Sequence, residues 1–484
     1  MAATSDNRLD PHVYRLAAVI VLGVIMSILD ATIVNVALET LHRELHAPLE
    51  QIQWVATGYM LALAAVIPVS GWTARRFGAR RVYLVSLVLF TGGSALCGLA
   101  WSTESLIGFR LLQGVGGGML MPVGQMILAR AAGPERMGRV MSVVGVPMLL
   151  GPVFGPIIGG VLVEHASWRW IFYVNVPIGA LAFTAALKML HPEPSQEAGP
   201  LDRIGLALLA LGVPAITYGL AEYGQHGTLV ARAWVPLAAG AVAVCLFCVH
   251  ALRADAPLLD IRLFGRPEIS AASLATVCVG GALFGSMILL PLFFQTVRGQ
   301  SPAMTGLLLA PQGLGAALSM PIAGKLTDRL GGGILTVFGT LVILAGTVPF
   351  AYIGTHTAYA FIAGAMVLRG IGMGFTMMPS MAAAFARLSK DEIEHATPQL
   401  NVLQRIGGSI GTALLAVILA RSIAHNLAAN PHGNTLDLLA AGYMHTYWYA
   451  VAATAFSILP ALALWRSERR PSAPAVGGAA PVRA

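Results

Sequence analysis

Two charged side chains stand where charge is expensive. Asp30 lies in SILDATIVNVAL, about 15 residues into a long apolar run, and Arg110 opens RLLQGVGGGMLMP, about six residues into another. At 1.5 Å per helical residue, the acid is roughly 22 Å from the inner end of its helix and the base roughly 9 Å below the outer end of its own. Both then sit at similar depth in the outer half of a membrane. Burying either alone is costly, so such charges usually face the protein interior or a cavity. Two kinds of chemistry follow: a structural ion pair, or a proton site whose affinity is tuned by burial and by its partner. Gln113, one turn beyond Arg110, can supply a neutral hydrogen bond.

Other polar residues compete for a role. Arg369 and Arg405 also fall within apolar runs, with no intramembrane acid close in sequence to name as partner. Asn35, near the outer end of the first run, and Asn175, near the middle of the sixth, could each bond a ligand or simply another helix. Glu222 ends the seventh run and reads first as a wetted terminus. Asn35, Gln113, Asn175 and Glu222 are the candidates for lining a substrate cavity. His42 and His46, spaced i,i+4 beside Glu39 and Glu44, fit a solvated outer loop better than a metal site. Cys245 and Cys248 in CLFC lack the polar context of a redox pair and read as small packing residues. No Ser/His/Asp set or ligand cluster gathers at one face, so the sequence does not read as an enzyme and implies no metal. No ATP-binding Walker motif occurs either.

The elements that must hold these residues are dictated by composition. The chain has 484 residues, 56% hydrophobic and 11% charged, with mean hydropathy +0.74; a soluble chain carries roughly 25% charged residues. Apolar segments fall at about 15–38, 52–70, 81–100, 104–128, 138–163, 168–189, 203–222, 233–250, 270–296, 303–325, 333–352, 357–385, 398–421 and 443–465. Each is long enough to cross the hydrocarbon core as a helix, which satisfies its own backbone there. The expectation is an all-α polytopic membrane protein with fourteen transmembrane helices. With the N-terminus inside, 22 of the 30 Lys and Arg lie in inner segments and five in outer ones. That asymmetry places both termini in the cytoplasm. It also accounts for the net charge of +8 without nucleic acid. The N-terminus lacks the short apolar core and cleavage site of a signal peptide.

The knots of charge recur. GWTARRFGARR begins at Gly71, and a looser echo, GKLTDRLGGG, begins at Gly324, so that Arg76 and Gly78 match Arg329 and Gly331, and Arg75 matches Asp328. Arg110 and Pro122 in the fourth run match Arg369 and Pro379 in the twelfth; glycines at 151–160 in the fifth match those at 407–411 in the thirteenth. Three correspondences at one offset of eight spans predict two six-helix halves, 15–189 and 270–465, with two helices inserted at 203–250. The Pro/Ala/Gly-rich segment 466–484 reads as a disordered cytoplasmic tail. Parallel halves are a transporter plan with the site between them. In GPVFGPIIGG, Gly151, Gly155 and Gly159 make a stripe without side chains that lets another helix approach, and Pro152 and Pro156 favour bending. The arginines at 75–81 hold their loop inside and meet anionic lipid heads. A latch is the other reading, with Arg76 or Arg80 reaching an acid or helix C-terminus in one conformation.

These motifs resemble the major facilitator superfamily. GWTARRFGARR is similar to its loop 2–3 motif, RLLQGVGGG to its span-4 arginine motif, and GPVFGPIIGG to the span-5 signature of its proton-driven exporters. LDATIVNVAL, WRWIFYVNVPIG at 168–179, PLFFQTVRGQSPAMTGLLLAPQGLG at 291–315 and NVLQRIGGSIG at 401–411 resemble the fourteen-span drug:proton antiporter branch, over about residues 15–465. The resemblance implies a coupling role for Asp30 and proton transfer linked to Arg110. It implies a hinge at Gly151, Pro152, Gly155, Pro156, Gly159 and Gly160, and a conformational latch at Gly71, Arg76, Gly78, Arg80 and Arg81. Asp328 and Arg329 hold the latch position of the second half. Two residues depart from the pattern: Arg75 replaces the usual latch acid, and Glu39 a common proline.

The function so implied is proton-coupled efflux of small amphipathic or cationic drugs such as dyes, antiseptics and antibiotics. It would proceed by alternating access in a bacterial cytoplasmic (inner) membrane, with the proton-motive force and no cofactor as its energy. Dedicated export of one endogenous metabolite or antibiotic is the alternative. The expected partners are the substrate, protons and anionic lipids, with no nucleic acid; a monomer suffices, and a periplasmic adaptor could join in a host with two membranes.

Overall fold

Proline and glycine decide where the apolar runs stop being straight helices. The computed structural model of the protein describes residues 11–132, 145, 151, 154–155, 157–191, 199–226, 230–385, 388 and 390–469. Among these there is no strand, and thirteen stretches are long and apolar enough to cross a membrane. The fifth run expected from sequence lies largely outside the described residues, and Pro152 and Pro156 lie outside them altogether.

The first half comprises α1 (Pro11–Leu45), α2 (Leu49–Val66), α3 (Ser70–Phe77), α4 (Ala79–Gly98), α5 (Thr103–Ala132), the short α6 (Trp170–Tyr173) and α7 (Asn175–Met189). Then come α8 (Arg203–His226) and α9 (Ala231–Arg253), which pack on each other. The second half comprises α10 (Pro267–Met287), α11 (Leu289–Thr296), α12 (Pro302–Leu330), α13 (Gly332–Thr347), α14 (Tyr359–Phe385), α15 (Lys390–Ala429), α16 (Thr435–Phe456) and α17 (Ile458–Arg469). Three boundaries differ from the sequence reading. The second span does not end near residue 70: a 3-10 turn at Ile67–Val69, around Pro68, carries the chain from α2 into α3, because proline lacks the N–H that a continuous helix needs. The thirteenth span is embedded in one helix of 40 residues. Helix α17 continues to Arg469, so the first residues assigned to the tail are helical; 470–484 lie outside the described residues.

The two matched glycines share one backbone conformation. Gly78, between α3 and α4, has φ 83° and ψ 135°; Gly331, between α12 and α13, has φ 91° and ψ 154°. A side chain is strained at both, so glycine fixes the same reversal in each half. Close approach of helices positions the interior. A Cβ at Gly114 would fall 2.7 Å from the Tyr59 carbonyl and one at Gly118 2.6 Å from that of Leu63, so α5 lies directly against α2. A Cβ at Gly93 would meet the backbone of Gln113 at 2.9 Å, which brings α4 equally near. Arg110 and Gln113 therefore reach neighbouring helices without crossing a gap.

Candidate functional site

Asp30 is fully buried, and Arg110, Gln113 and Asn175 are exposed by 1% or less. They form one cluster from three helices. Arg110 Nη1 donates to Asp30 Oδ2. Gln113 Nε2 donates to Oδ1 at 2.9 Å, and Asn175 Nδ2 donates to the same oxygen at 3.1 Å. Both carboxylate oxygens are thus occupied by donors, one of them cationic, which is the arrangement that lets a buried acid remain an anion.

The base is held as closely. Arg110 Nε donates to the Val55 carbonyl at 2.9 Å and Nη1 to Gln113 Oε1 at 2.9 Å. Its guanidinium lies over the Tyr59 ring, 4.1 Å from the centroid, a cation–π contact worth about 2 kcal/mol when desolvated. Tyr59 is fixed in turn by Ser27, whose carbonyl accepts its O–H at 3.2 Å and whose hydroxyl lies 3.0 Å away. Ser94 donates to the Phe172 carbonyl at 2.9 Å and accepts from Asn175 Nδ2 at 3.1 Å, which aims the amide at Asp30. The network ties together α1, α2, α4, α5 and α7.

The sequence reading brought Asp30 and Arg110 to one depth; the structure makes them partners. It puts Gln113 and Asn175 on the carboxylate, so Asn175 bonds another helix. Asn35 is exposed, away from this cluster. Glu222 is half-buried and hydrogen-bonds Tyr218, whose ring stacks on Trp54 at 5.6 Å. Tyr59, Ser27, Ser94 and the Val55 carbonyl went unnoticed in the sequence, since uncharged groups in apolar runs carry no signal of their own.

A second set of residues lies along the seam between the halves. At the arginine-rich end, Asn401 of α15 donates to Gln125 Oε1 of α5 at 2.9 Å, and Gln125 Nε2 lies 3.8 Å from Met381 Sδ. One turn beyond Asn401 on the same helix, Arg405 is half-buried.

The motifs expected to move are distributed around these contacts. Cβ atoms at Gly151, Gly155 and Gly159 would collide with Ile28, Thr32 and Ile33 of α1, so the glycine stripe lies against the helix that carries Asp30. Thr32 Oγ1 donates to the Gly151 carbonyl at 3.3 Å; Gly160 is half-buried. In the loop motif Gly71 is buried, Arg76 and Arg81 are exposed, and Arg80 donates to the Leu187 carbonyl at 3.0 Å. Arg75 borders a cavity of about 270 Å³ with Asp202, Asp255 and Asp260, which lie on the segments flanking the inserted helices. Acids from those segments thus surround the arginine that replaces the usual acid. In the second half Asp328 is half-buried and Arg329 exposed. There Glu468 accepts from the Gly332 and Gly333 N–H groups at 3.0 and 2.7 Å, capping α13 with a negative charge.

The family model described as Major Facilitator Superfamily matches residues 20–412. The chain belongs to the major facilitator superfamily. It is a multi-pass membrane transporter rather than an enzyme. A "Multidrug resistance protein B homolog" of Mycobacterium tuberculosis (strain ATCC 25618 / H37Rv) is 42% identical over 424 residues, 87% of this chain and 78% of that protein. The "Multidrug export protein EmrB" of Haemophilus influenzae is 32% identical over 430 residues, 88% of this chain and 84% of its own. Among solved structures, the human organic anion transporter MFSD10 superposes with a TM-score of 0.63 at 14% identity, covering 92% of this chain and all of that one. The proton:xylose symporter XylE gives 0.62 at 14% identity, covering 94% and 95%. At that identity the structural likeness speaks for the shared fold alone. The relatives' names support transport of the multidrug type for this member of the superfamily.

Proposed function

We propose that the protein exports small amphipathic organic molecules in exchange for protons, by alternating access of its two halves in a bacterial inner membrane with both termini in the cytoplasm. The observation that carries this reading is the enclosed Asp30–Arg110 pair, with donors from α5 and α7 on the acid. Protonation of Asp30 would release Arg110 and the helices it joins; deprotonation would gather them again. A proton site that is also a structural node converts proton binding into helix movement. Each charge crossing the membrane supplies about 2.3 kcal/mol per 100 mV.

The closed contacts at the arginine-rich end, Gln125 with Asn401, fit a state open toward the other side. The glycine stripe against α1 fits a hinge beside the proton site. Because Asp30 is enclosed, any pull on a cationic drug would act only after that carboxylate is uncovered. A dedicated exporter of one endogenous compound uses the same machinery and differs in its cavity.

Ethidium accumulation in inverted, energised vesicles tests the proposal. Accumulation that collapses with an uncoupler supports it. Accumulation indifferent to the proton gradient refutes the coupling. A folded protein that pumps no dye while a single native compound is exported selects the dedicated reading.

A further inference from the structure

The segments that flank the inserted helices meet at the arginine-rich end and are tied to both halves. Asp202, just before α8, accepts from the Gly205 N–H at 2.7 Å and from the Leu258 N–H at 3.1 Å. It also lies 2.8 Å from His250 Nε2 of α9. One carboxylate thus gathers both segments and the adjoining ends of α8 and α9 into a single base. Residues 254–266 lead from that base into α10 of the second half. On the way the Asp260 carbonyl accepts from Gln399 Nε2 of α15 at 2.9 Å, and Arg266 pairs with Glu392 of α15 at 2.6 Å. Direct bonds therefore anchor the base to the second half.

Its hold on the first half is of another kind. Trp72 Nε1 of α3 donates to the Gly199 carbonyl at 3.0 Å. On the same helix, Arg75 shares the walls of the cavity of about 270 Å³ with Asp202, Asp255 and Asp260. Asp202 is occupied within the base. Asp255 is exposed, and Asp260 uses one oxygen to cap the 3-10 turn at Ile261–Gly265 through the Arg262 N–H. Both acids keep carboxylate capacity for a cation across the cavity. Arg75 is the residue that stands where the motif it resembles has an acid. Helix α3 also touches α15 here, so the halves part at this place if the end opens. Charge pairs in a wetted cavity are weak and readily given up, whereas the bonds to α15 are backed by the covalent link to α10.

We propose that these linkers form a clasp that holds the cytoplasmic end shut, with Asp255 and Asp260 supplying to Arg75 the charge partner that the loop motif usually carries within itself. When the halves rock, the base stays with α15 and α3 leaves it, so Arg75 parts from the two acids at each inward opening. The inference rests on alternating access; it adds that the acid of the first-half latch has moved from the motif to the linkers.

A cysteine reporter reads the opening directly. Met381 of α14 is buried at the closed seam, its sulfur 3.8 Å from Gln125 Nε2. The parent for the test is the full chain with Met381→Cys and its four native cysteines changed to alanine. In de-energised inverted vesicles, a membrane-impermeant maleimide reaches that position only through the cytoplasmic end. Arg75→Gln and the pair Asp255→Asn/Asp260→Asn should each speed labelling roughly fivefold, and all three together no further, because one interaction is lost either way. Asparagine still caps the turn at position 260. Arg75→Lys keeps the charge and should label close to the parent rate. Labelling at the parent rate in Arg75→Gln and in the acid pair would overturn the clasp and leave alternating access standing. So would fully additive acceleration, or a lysine variant as fast as the glutamine one. A reporter never labelled in any variant, yet reactive once the protein is unfolded in detergent, would mean that this end does not open. The clasp would then fall together with alternating access.

Discussion

Replacing Asp30 by asparagine changes one oxygen for an NH2 group and removes one charge, and the structure says what that costs. The amide oxygen can still accept from Gln113 and Asn175, at the positions now 2.9 and 3.1 Å from Oδ1. The new NH2 then faces Arg110 Nη1, donor against donor. Arg110, 1% exposed, keeps Val55 O, Gln113 Oε1 and the Tyr59 ring but loses its only countercharge among the described residues. Removing one partner of a buried pair costs about 3–5 kcal/mol. Asp30→Asn should therefore lower stability by that order and abolish uncoupler-sensitive ethidium accumulation at matched expression. Adding Arg110→Gln removes the stranded charge, so the double variant should regain part of the lost stability, with a coupling energy of roughly 0.5–3 kcal/mol. It should remain inactive in proton-driven uptake, because the carboxylate proposed to carry the proton is gone. Denaturation of the three variants in nanodiscs, beside vesicle uptake, separates the two readouts. A double variant destabilised by the plain sum of the singles, or an Asp30→Asn protein that pumps like the unmodified one, refutes the reasoning.

Gly155→Leu puts a branched side chain where even a Cβ collides with Thr32; an overpacking cost of about 1–3 kcal/mol and loss of uptake at normal membrane expression are expected, with Gly155→Ala milder, and wild-type uptake in the leucine variant would sink the hinge assignment. Arg405→Gln removes a positive charge from the seam between the halves; a change of about 1 kcal/mol in the field at the substrate corresponds to roughly a fivefold shift in preference toward cationic over anionic dyes, read as the ratio of their uptake rates, and an unchanged ratio would mean that substrate never approaches this arginine. For Asp202, burial raises the carboxyl's pKa, but bonds from the Gly205 N–H, His250 and the Leu258 N–H outweigh it and hold the group below the usual carboxylate range. A depressed carboxylate contributes its stability above the unfolded pKa, about 3.9, and loses it as pH falls through the folded value. Proteolytic nicking of the segment around residues 199–202 should therefore increase below about pH 4, and Asp202→Asn should show the acid-state nicking already at neutral pH.

The legible part of this molecule was the part written in hydropathy and charge. Apolar runs set the spans, and scarcity of charge singled out Asp30, Arg110, Arg369 and Arg405 before any contact was known. Gln113 could be paired with Arg110 because i and i+3 share a helix face. Asn175 was named, but not its partner: 145 residues separate it from Asp30, and only the packing of α1 against α7 joins them. The Val55 carbonyl leaves no trace in a sequence at all, and Tyr59 is one aromatic among many. Arg75 illustrates the same limit. It departed from the motif it resembles, and its acidic neighbours lie more than a hundred residues away in segments that read only as linkers.

The two inserted helices set a further constraint on how the molecule can work. Helix α8 touches α2 of the first half, with Tyr218 stacked on Trp54, and also α15 of the second, where a Cβ on Gly224 would come within 3.1 Å of Ala413. If the halves rock, α8 cannot ride with both, and one of these two seams must slide at every turnover. Its outer flank carries exposed apolar side chains such as Ile204 and Leu211, so the medium that must part and heal is acyl chain rather than water. Bilayer thickness and fluidity then act as a mechanical load on turnover, and the same sequence would run at different speeds in membranes of different composition.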